Sequence, residues 1–287
     1  MRVSRHRLPR TVLASGAALA AAAVALVAVV GVVGWRAPSG SAPGPDHSAR
    51  AESAATPTRT ATSSAPSPRS VVGVGDSVTA GTNCDCAPFV ARFAELLGAR
   101  DGRPATATNL GVPGLTTDSL ATQLTQAGPA RSVAAADLVV VTIGANDLGP
   151  LQDRWEQGGC GPACLAPAVA AMARGLATDL ARVKALGGPG QRVEVTTYWN
   201  VFEDGDVADR QRGAGFADWS DSVTVAANRA ICATTRSFGD TCVDLYAPFL
   251  SADGNRNPTP LLSSDGDHPD AAGHALIARA LLAATPR

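Results

Sequence analysis

Histidine is scarce in this 287-residue chain, and that scarcity narrows the chemistry open to it. Of four histidines, His6 falls in a basic N-terminal stretch and His47 in a Pro/Ser/Thr-rich one. Imidazole chemistry in a folded domain is therefore left to His268 or His274. His268 sits in Ser264-Asp265-Gly266-Asp267-His268-Pro269, a polar loop just ahead of an apolar helical pattern. Asp265, three residues earlier, can turn back to the imidazole Nδ1, fix its tautomer and stabilise the imidazolium. Asp267 is adjacent, and its side chain is expected to point elsewhere. Pro269 suits a first helical turn, where its missing N–H costs nothing. His274 lies inside the same helical pattern and reads as a packing or surface residue.

A base needs a nucleophile, and Ser77 in Gly73-Val74-Gly75-Asp76-Ser77-Val78 is the candidate. A serine hydroxyl is a weak nucleophile until a neighbouring base takes its proton. The same position would also suit a helix N-cap. Two further blocks carry groups that could face a developing oxyanion. In Asn109-Leu110-Gly111-Val112-Pro113-Gly114, Gly111 leaves a backbone N–H open to close approach. In Ile143-Gly144-Ala145-Asn146-Asp147, the Asn146 amide can donate. Alternatives stay open for both: a tight turn at Gly111, and a helix cap at Asn146 or Asp147.

These blocks need elements to position them. Val71–Gly75 reads as a short buried strand, and Phe89, Val90, Phe93, Leu96 and Leu97 mark a helix over about 87–99. Strands are then expected at 105–110, 138–143, 192–198 and 242–246, and helices at about 117–126, 163–186, 222–237 and 270–284. Strands alternating with helices imply an α/β fold with a parallel sheet covered on both faces. Sites in such sheets form in loops at the C-terminal strand ends. All four blocks fall at such ends or just before helices.

Four blocks in this order resemble the SGNH hydrolase family, also called GDSL-like lipases and esterases. The nucleophile block of that family matches Gly75-Asp76-Ser77-Val78, with Val78 where leucine is commoner. Its glycine block matches Gly111, its Gly-x-Asn-Asp block Gly144-Ala145-Asn146-Asp147, and its Asp-x-x-His block Asp265-Gly266-Asp267-His268. The resemblance implies a three-layer αβα sandwich with a five-stranded parallel sheet, of the SGNH/flavodoxin-like kind. It also implies a carboxylic ester hydrolase working through an acyl-enzyme. Ser77 would be the nucleophile, His268 its base and Asp265 the orienting acid. The Ser77 N–H, the Gly111 N–H and the Asn146 side chain would form the oxyanion hole. No metal or organic cofactor is implied. The partner would be a small-molecule or polymer-linked acyl ester, met by a monomeric catalytic domain. The spacing differs from the G-x-S-x-G elbow of α/β-hydrolases.

Bulk composition is compatible with that reading. A net charge of −1 and 4% aromatic residues argue against a nucleic-acid partner, which calls for a basic face and stacking platforms. Arg2, Arg5, Arg7 and Arg10 precede an uncharged apolar run from Thr11 to Trp35. Residues 1–36 thus read as a signal-anchor or signal peptide with a cytoplasmic N-terminus. The length of the run favours an anchor, since a spanning helix needs about 20 residues and a cleavable core fewer. Residues 37–69, rich in Ala, Pro, Ser and Thr, cannot bury enough surface to order themselves and read as a linker. Residues 70–287 form the domain, placed outside the cell, tethered or secreted.

All six cysteines lie in that domain, which in an exported protein implies disulfides. Cys232 with Cys242 is the best single pairing. Cys84-Asp-Cys86 and Cys160–Cys164 could each close locally or cross-link to one another. A zinc site is disfavoured by the spacings and by the absence of a histidine nearby in sequence. Two other functions compete with ester hydrolysis: a catalytically silent module binding envelope glycans or a partner, and a thiol-disulfide module at Cys84-Asp-Cys86. The walls of a substrate pocket are expected from loops at 198–215 and 150–162. Trp199, Phe202, Phe216 and Trp219 could give apolar contacts there, or simply pack.

Overall fold

The computed structural model describes residues 67–287; the expected membrane segment and most of the linker, with His6 and His47, lie outside the described residues. Five strands form one parallel sheet: β1 (Ser70–Gly75), β2 (Thr106–Gly111), β3 (Leu138–Thr142), β4 (Arg192–Thr196) and β5 (Thr241–Val243), in the order β2-β1-β3-β4-β5. The three inner strands carry the branched apolar residues. Val71, Val72, Val74 and every residue of β3 are buried, as expected of strands covered on both faces. The polar strand β2 and the three-residue β5 form the edges.

Helices cover the sheet in two groups. One is α2 (Phe89–Asp101) with α10 (Ala271–Ala284). The other is built around α6 (Pro162–Leu186), which packs on α3 (Thr117–Gln123), α4 (Ala127–Ala134), α5 (Ala145–Glu156) and α8 (Phe216–Ser237). The expected α/β fold with a five-stranded parallel sheet is the fold observed. Helices not given ranges from the sequence are Ser77–Ala80 (α1) and α5, raised there only as capping alternatives, and α4, Gly205–Gln211 (α7) and Tyr246–Leu250 (α9). Each lies at a strand end or in a polar stretch where apolar periodicity is too short to register. The segments 150–162 and 198–215, read as loops, are thus partly helical.

Three local disulfides, Cys84–Cys86, Cys160–Cys164 and Cys232–Cys242, account for all six cysteines. The last ties α8 to the edge strand β5. Trp199, Phe202 and Phe216 are buried, and Phe216 and Trp219 pack around Trp155, at ring distances of 5.2 and 5.5 Å. These aromatics mostly build core, which was the plainer of the two expectations.

Candidate active site

The first site element is the corner between β1 and α1. Gly75 adopts φ 136°, and a Cβ there would meet the Thr142 carbonyl oxygen at 1.9 Å. Only glycine lets the chain turn this close to β3. Asp76, not Ser77, caps α1: its Oδ1 accepts from Val78 N at 3.0 Å. Ser77 is the first residue of the helix and takes no capping role. Its hydroxyl is therefore not committed to the backbone, and the alternative reading of Ser77 as a cap falls away.

Asp76 is fully buried, and its second oxygen accepts a short hydrogen bond from the Tyr198 hydroxyl. Burial pushes the Asp76 carboxyl up to about 7, against the pull of the Tyr198 and Val78 donors. The Tyr198 phenol is likewise held well above its usual range, by burial and by Asp76.

The second element is the loop 262–269. It is pinned at its ends by a Leu262–Pro269 bridge and by Ser263 N donating to His268 O at 2.7 Å. Within it, His268 Nδ1 lies 2.7 Å from Asp265 Oδ2. Asp265 Oδ1 accepts from Asp267 N at 2.9 Å and His268 N at 3.0 Å. Burial alone would raise Asp265. The Asn83 amide, these two N–H groups and His268 outweigh it and bring the carboxyl to about 2. Pro269 stands before the helix rather than in it. Asp270 is the N-cap of α10, accepting from Ala272 N and Gly273 N at 2.7 and 2.9 Å.

Ser77, Asn146 and His268 line one cleft of about 200 Å³, together with Asp76, Gln152, Tyr198, Asn200, Phe202, Glu203 and Asp267. Asp267 was expected to point away. Instead it faces the cleft, 3.8 Å from His268 Nδ1. Its carboxyl is raised by enclosure, with Asp265 and Glu203 adding to the effect and His268 opposing it. A larger hollow of about 350 Å³ lies alongside, lined by Asp204, Asp209, Asp218, Asp221 and Asp253. Neither Ser77 nor His268 is in its wall; both candidate residues line the smaller cleft.

Ser77 Oγ and His268 share the cleft without a hydrogen bond between them, where a contact of about 2.6–3.2 Å, or somewhat more in a ligand-free site, is expected. Such bonds are often long in ligand-free sites and tighten when substrate arrives.

The expectation for Gly111 needs correction. Its N–H already donates to Asn109 Oδ1 at 2.9 Å. A Cβ at Gly111 would lie 2.3 Å from Ala80 N, so glycine is needed there for packing of β2 against α1. The other glycine of this block is Gly114. It follows Pro113 in a turn closed by Leu115 N on Val112 O at 3.2 Å, with φ 76°. Its N–H meets no acceptor among the described residues. The Pro-Gly dipeptide was the available sequence signal for such a turn.

Asn146 is no cap either, since Gly144 precedes the helix at that position. One Asn146 amide hydrogen is anchored on Leu115 O at 2.9 Å, next to Gly114, which leaves the other for the cleft. Asp147 binds Thr117 N at 3.0 Å and Thr117 Oγ1 at 2.6 Å, and so holds α5 to α3.

His274 is buried and accepts from Phe89 N at 3.2 Å through Nδ1. Burial depresses it to about 4, and it serves packing, one of its two expected roles. The fold also brings His274 within 4.8 Å of Cys84 and Cys86, although no histidine is near them in sequence.

Comparison with known proteins agrees with this geometry. Residues 74–276 match the GDSL-like Lipase/Acylhydrolase family. The lipase Lip_vut3 from a goat rumen metagenome is similar in structure, with 18% identity, a TM-score of 0.62, and coverage of 75% of this chain and 96% of its own. Axe2, an acetylxylan esterase from Geobacillus stearothermophilus, is 20% identical over 76% of this chain and 94% of its own, with a TM-score of 0.54. A lipase/acylhydrolase from Enterococcus faecalis is also 20% identical, over 75% and 94%, with a TM-score of 0.51. At these identities the likeness is one of fold. No curated protein matches the chain.

Proposed function

Because the chain belongs to the GDSL-like Lipase/Acylhydrolase family and is a carboxylic ester hydrolase, we propose that it cleaves short acyl esters outside the cell through Ser77, His268 and Asp265. The observation that carries the reading is the 2.7 Å bond from His268 Nδ1 to Asp265 Oδ2. It commits Nδ1 to the carboxylate and leaves Nε2 as the proton acceptor, in a cleft shared with the uncommitted hydroxyl of Ser77.

In the proposed reaction, Ser77 Oγ attacks the ester carbonyl as its proton passes to His268 Nε2. Asp265 stabilises the imidazolium. The Ser77 N–H, the Gly114 N–H and the second Asn146 amide hydrogen receive the oxyanion. Gly114 takes the place expected of Gly111. Collapse of the tetrahedral intermediate breaks the bond to the alcohol, which leaves with the proton from His268. Water, activated by the same nitrogen, then hydrolyses the acyl-enzyme.

The size and lining of the cleft support a short acyl group. Its volume of about 200 Å³ is below the ~300–1,000 Å³ that holds a drug-sized ligand. Gln152, Asn200, Glu203 and Asp267 give it polar walls, suited to an acyl group on a polar carrier. The similarity in fold to an acetylxylan esterase supports the same choice. The three disulfides favour an oxidising compartment. With residues 1–36 as signal or anchor and 37–69 as linker, the domain from residue 70 onward would work beyond the membrane.

A fluorophosphonate probe tests the nucleophile. Wild type should be labelled at Ser77 and Ser77→Ala should not. Failure of the wild type to label would favour the alternative, a silent module that binds envelope glycans or a partner. In a series of aryl esters, acetate and butyrate should turn over at least about tenfold faster than dodecanoate. Equal rates would remove the short-chain assignment.

A further inference from the structure

Between the nucleophile corner and the base loop runs a short turn, 81–86, closed on itself by the Cys84–Cys86 disulfide. It leaves α1 with Gly81 N and Thr82 N on Ser77 O, at 3.0 and 3.1 Å. Asn83 has φ 58° and Asp85 φ 48°, so both neighbours of Cys84 are left-handed, a conformation that Asn and Asp tolerate better than most residues.

In that conformation Asn83 meets the base loop twice. Its carbonyl accepts from Ser263 Oγ at 2.9 Å, and its amide Nδ2 donates to Asp265 Oδ2 at 2.5 Å. Oδ2 is the oxygen that holds His268 Nδ1. Of the four hydrogen bonds on Asp265, the other three come from Asp267 and His268 in its own loop. Among the described residues, Asn83 is thus the one donor that ties the carboxylate to the segment carrying Ser77.

We infer that Asn83 is a positioning residue for ester hydrolysis, held in register by the Cys84–Cys86 bridge, an inference that rests on the Ser77–His268–Asp265 reading. A carboxylate bonded only within its own loop moves with that loop. A donor from the α1 turn instead sets the Asp265 plane, and through it the His268 ring, relative to the nucleophile. The acidic groups around His268 are Asp265, Asp267, Glu203 and Asp76. Asn83 adds a donor to this cluster without adding charge.

Asn83→Gly is the sharpest test, because glycine keeps the left-handed backbone and removes only the amide. Expected are a kcat about tenfold lower, as for loss of an orienting partner elsewhere, with KM and melting temperature close to wild type. Asn83→Asp is nearly isosteric but sets a carboxylate against Asp265. It should lose more, with the acid limb of kcat/KM moved to higher pH, since added negative charge favours the imidazolium.

In a Cys84→Ser/Cys86→Ser background kcat should fall similarly, and Asn83→Gly should then cost little more, the signature of coupled residues. Wild-type kcat and pH profile in Asn83→Gly would overturn the inference, as would a kcat loss matched by a lower melting temperature. If Ser77→Ala also proved active and still reacted with the fluorophosphonate, the triad reading itself would fail. An inert Ser77→Ala beside an unaffected Asn83→Gly would remove only the role of Asn83.

Discussion

The β1–α1 corner and the 262–269 loop bring complementary groups to one cleft, and they are held there by different forces. The corner is fixed by packing. Gly75 lies against the Thr142 backbone, Val74 and Val78 are buried, and Asp76 is sealed under Tyr198. The loop is fixed by polar contacts on partly exposed groups: Asp265 on its own backbone, Asn83 on Asp265, and Gly266 O accepting from Asp204 N at 2.8 Å. Packing is cooperative, so damage to the corner should register as lost stability. Individual hydrogen bonds on an exposed loop contribute little to stability, so damage there should register as lost activity.

The strongest prediction lies on the loop side. His268→Ala should lower ester turnover at least about 10⁴-fold while the thermal melt stays within a few degrees of wild type. A large fall in melting temperature would mean that the loop is part of the core, and the comparison would collapse.

Asn146→Ala should cost about 10²–10³-fold in kcat, with KM changed far less. The anchored half of its amide bridges only to Leu115 O, so urea denaturation should show a small stability loss beside the kinetic one.

On the corner side, Gly75→Ala combines a forbidden backbone angle with a Cβ clash at the Thr142 carbonyl. It should lose roughly 3 kcal/mol or more, read as a shifted urea midpoint or as insoluble protein. A soluble, stable but inactive variant would show that the corner tolerates distortion.

A further prediction on the corner side concerns pH. Asp76 titrates near 7 in the fold and an unfolded aspartate near ~3.9. A carboxyl raised on folding penalises the native state as it ionises. The penalty is absent below about pH 4, grows between about pH 4 and 7, and is constant above. Wild type should therefore lose stability relative to Asp76→Asn across that window. Parallel stability curves would mean that Asp76 is not held in its neutral form.

How much of this was legible beforehand differs between the same two regions. Strand β3 and helix α10 were placed within a residue or two, because an unbroken branched-apolar run and a helical apolar stripe each have few other solutions. Asp265 beside His268 was also legible, since three residues on a loop suffice to close that contact. Asp267 was misjudged because its direction depends on the loop path, and Gly266 turns that path with φ 72°. The Gly111 assignment failed for a related reason. Whether a backbone N–H is free depends on every acceptor within reach, and the acceptor here is the Asn109 side chain.

Residue type and local order were enough to determine the α/β architecture, the sparse set of possible bases and the identity of Ser77 as the nucleophile candidate. Those follow from periodicities of a few residues and from what each side chain can do chemically. Only the tertiary structure decided that Asn83, 182 positions from Asp265, shares its carboxylate. It likewise decided that Tyr198, 122 positions from Asp76, seals that carboxyl. These are through-space pairings between segments far apart in the chain, and hydrogen-bond partners at that separation are chosen by how the layers pack.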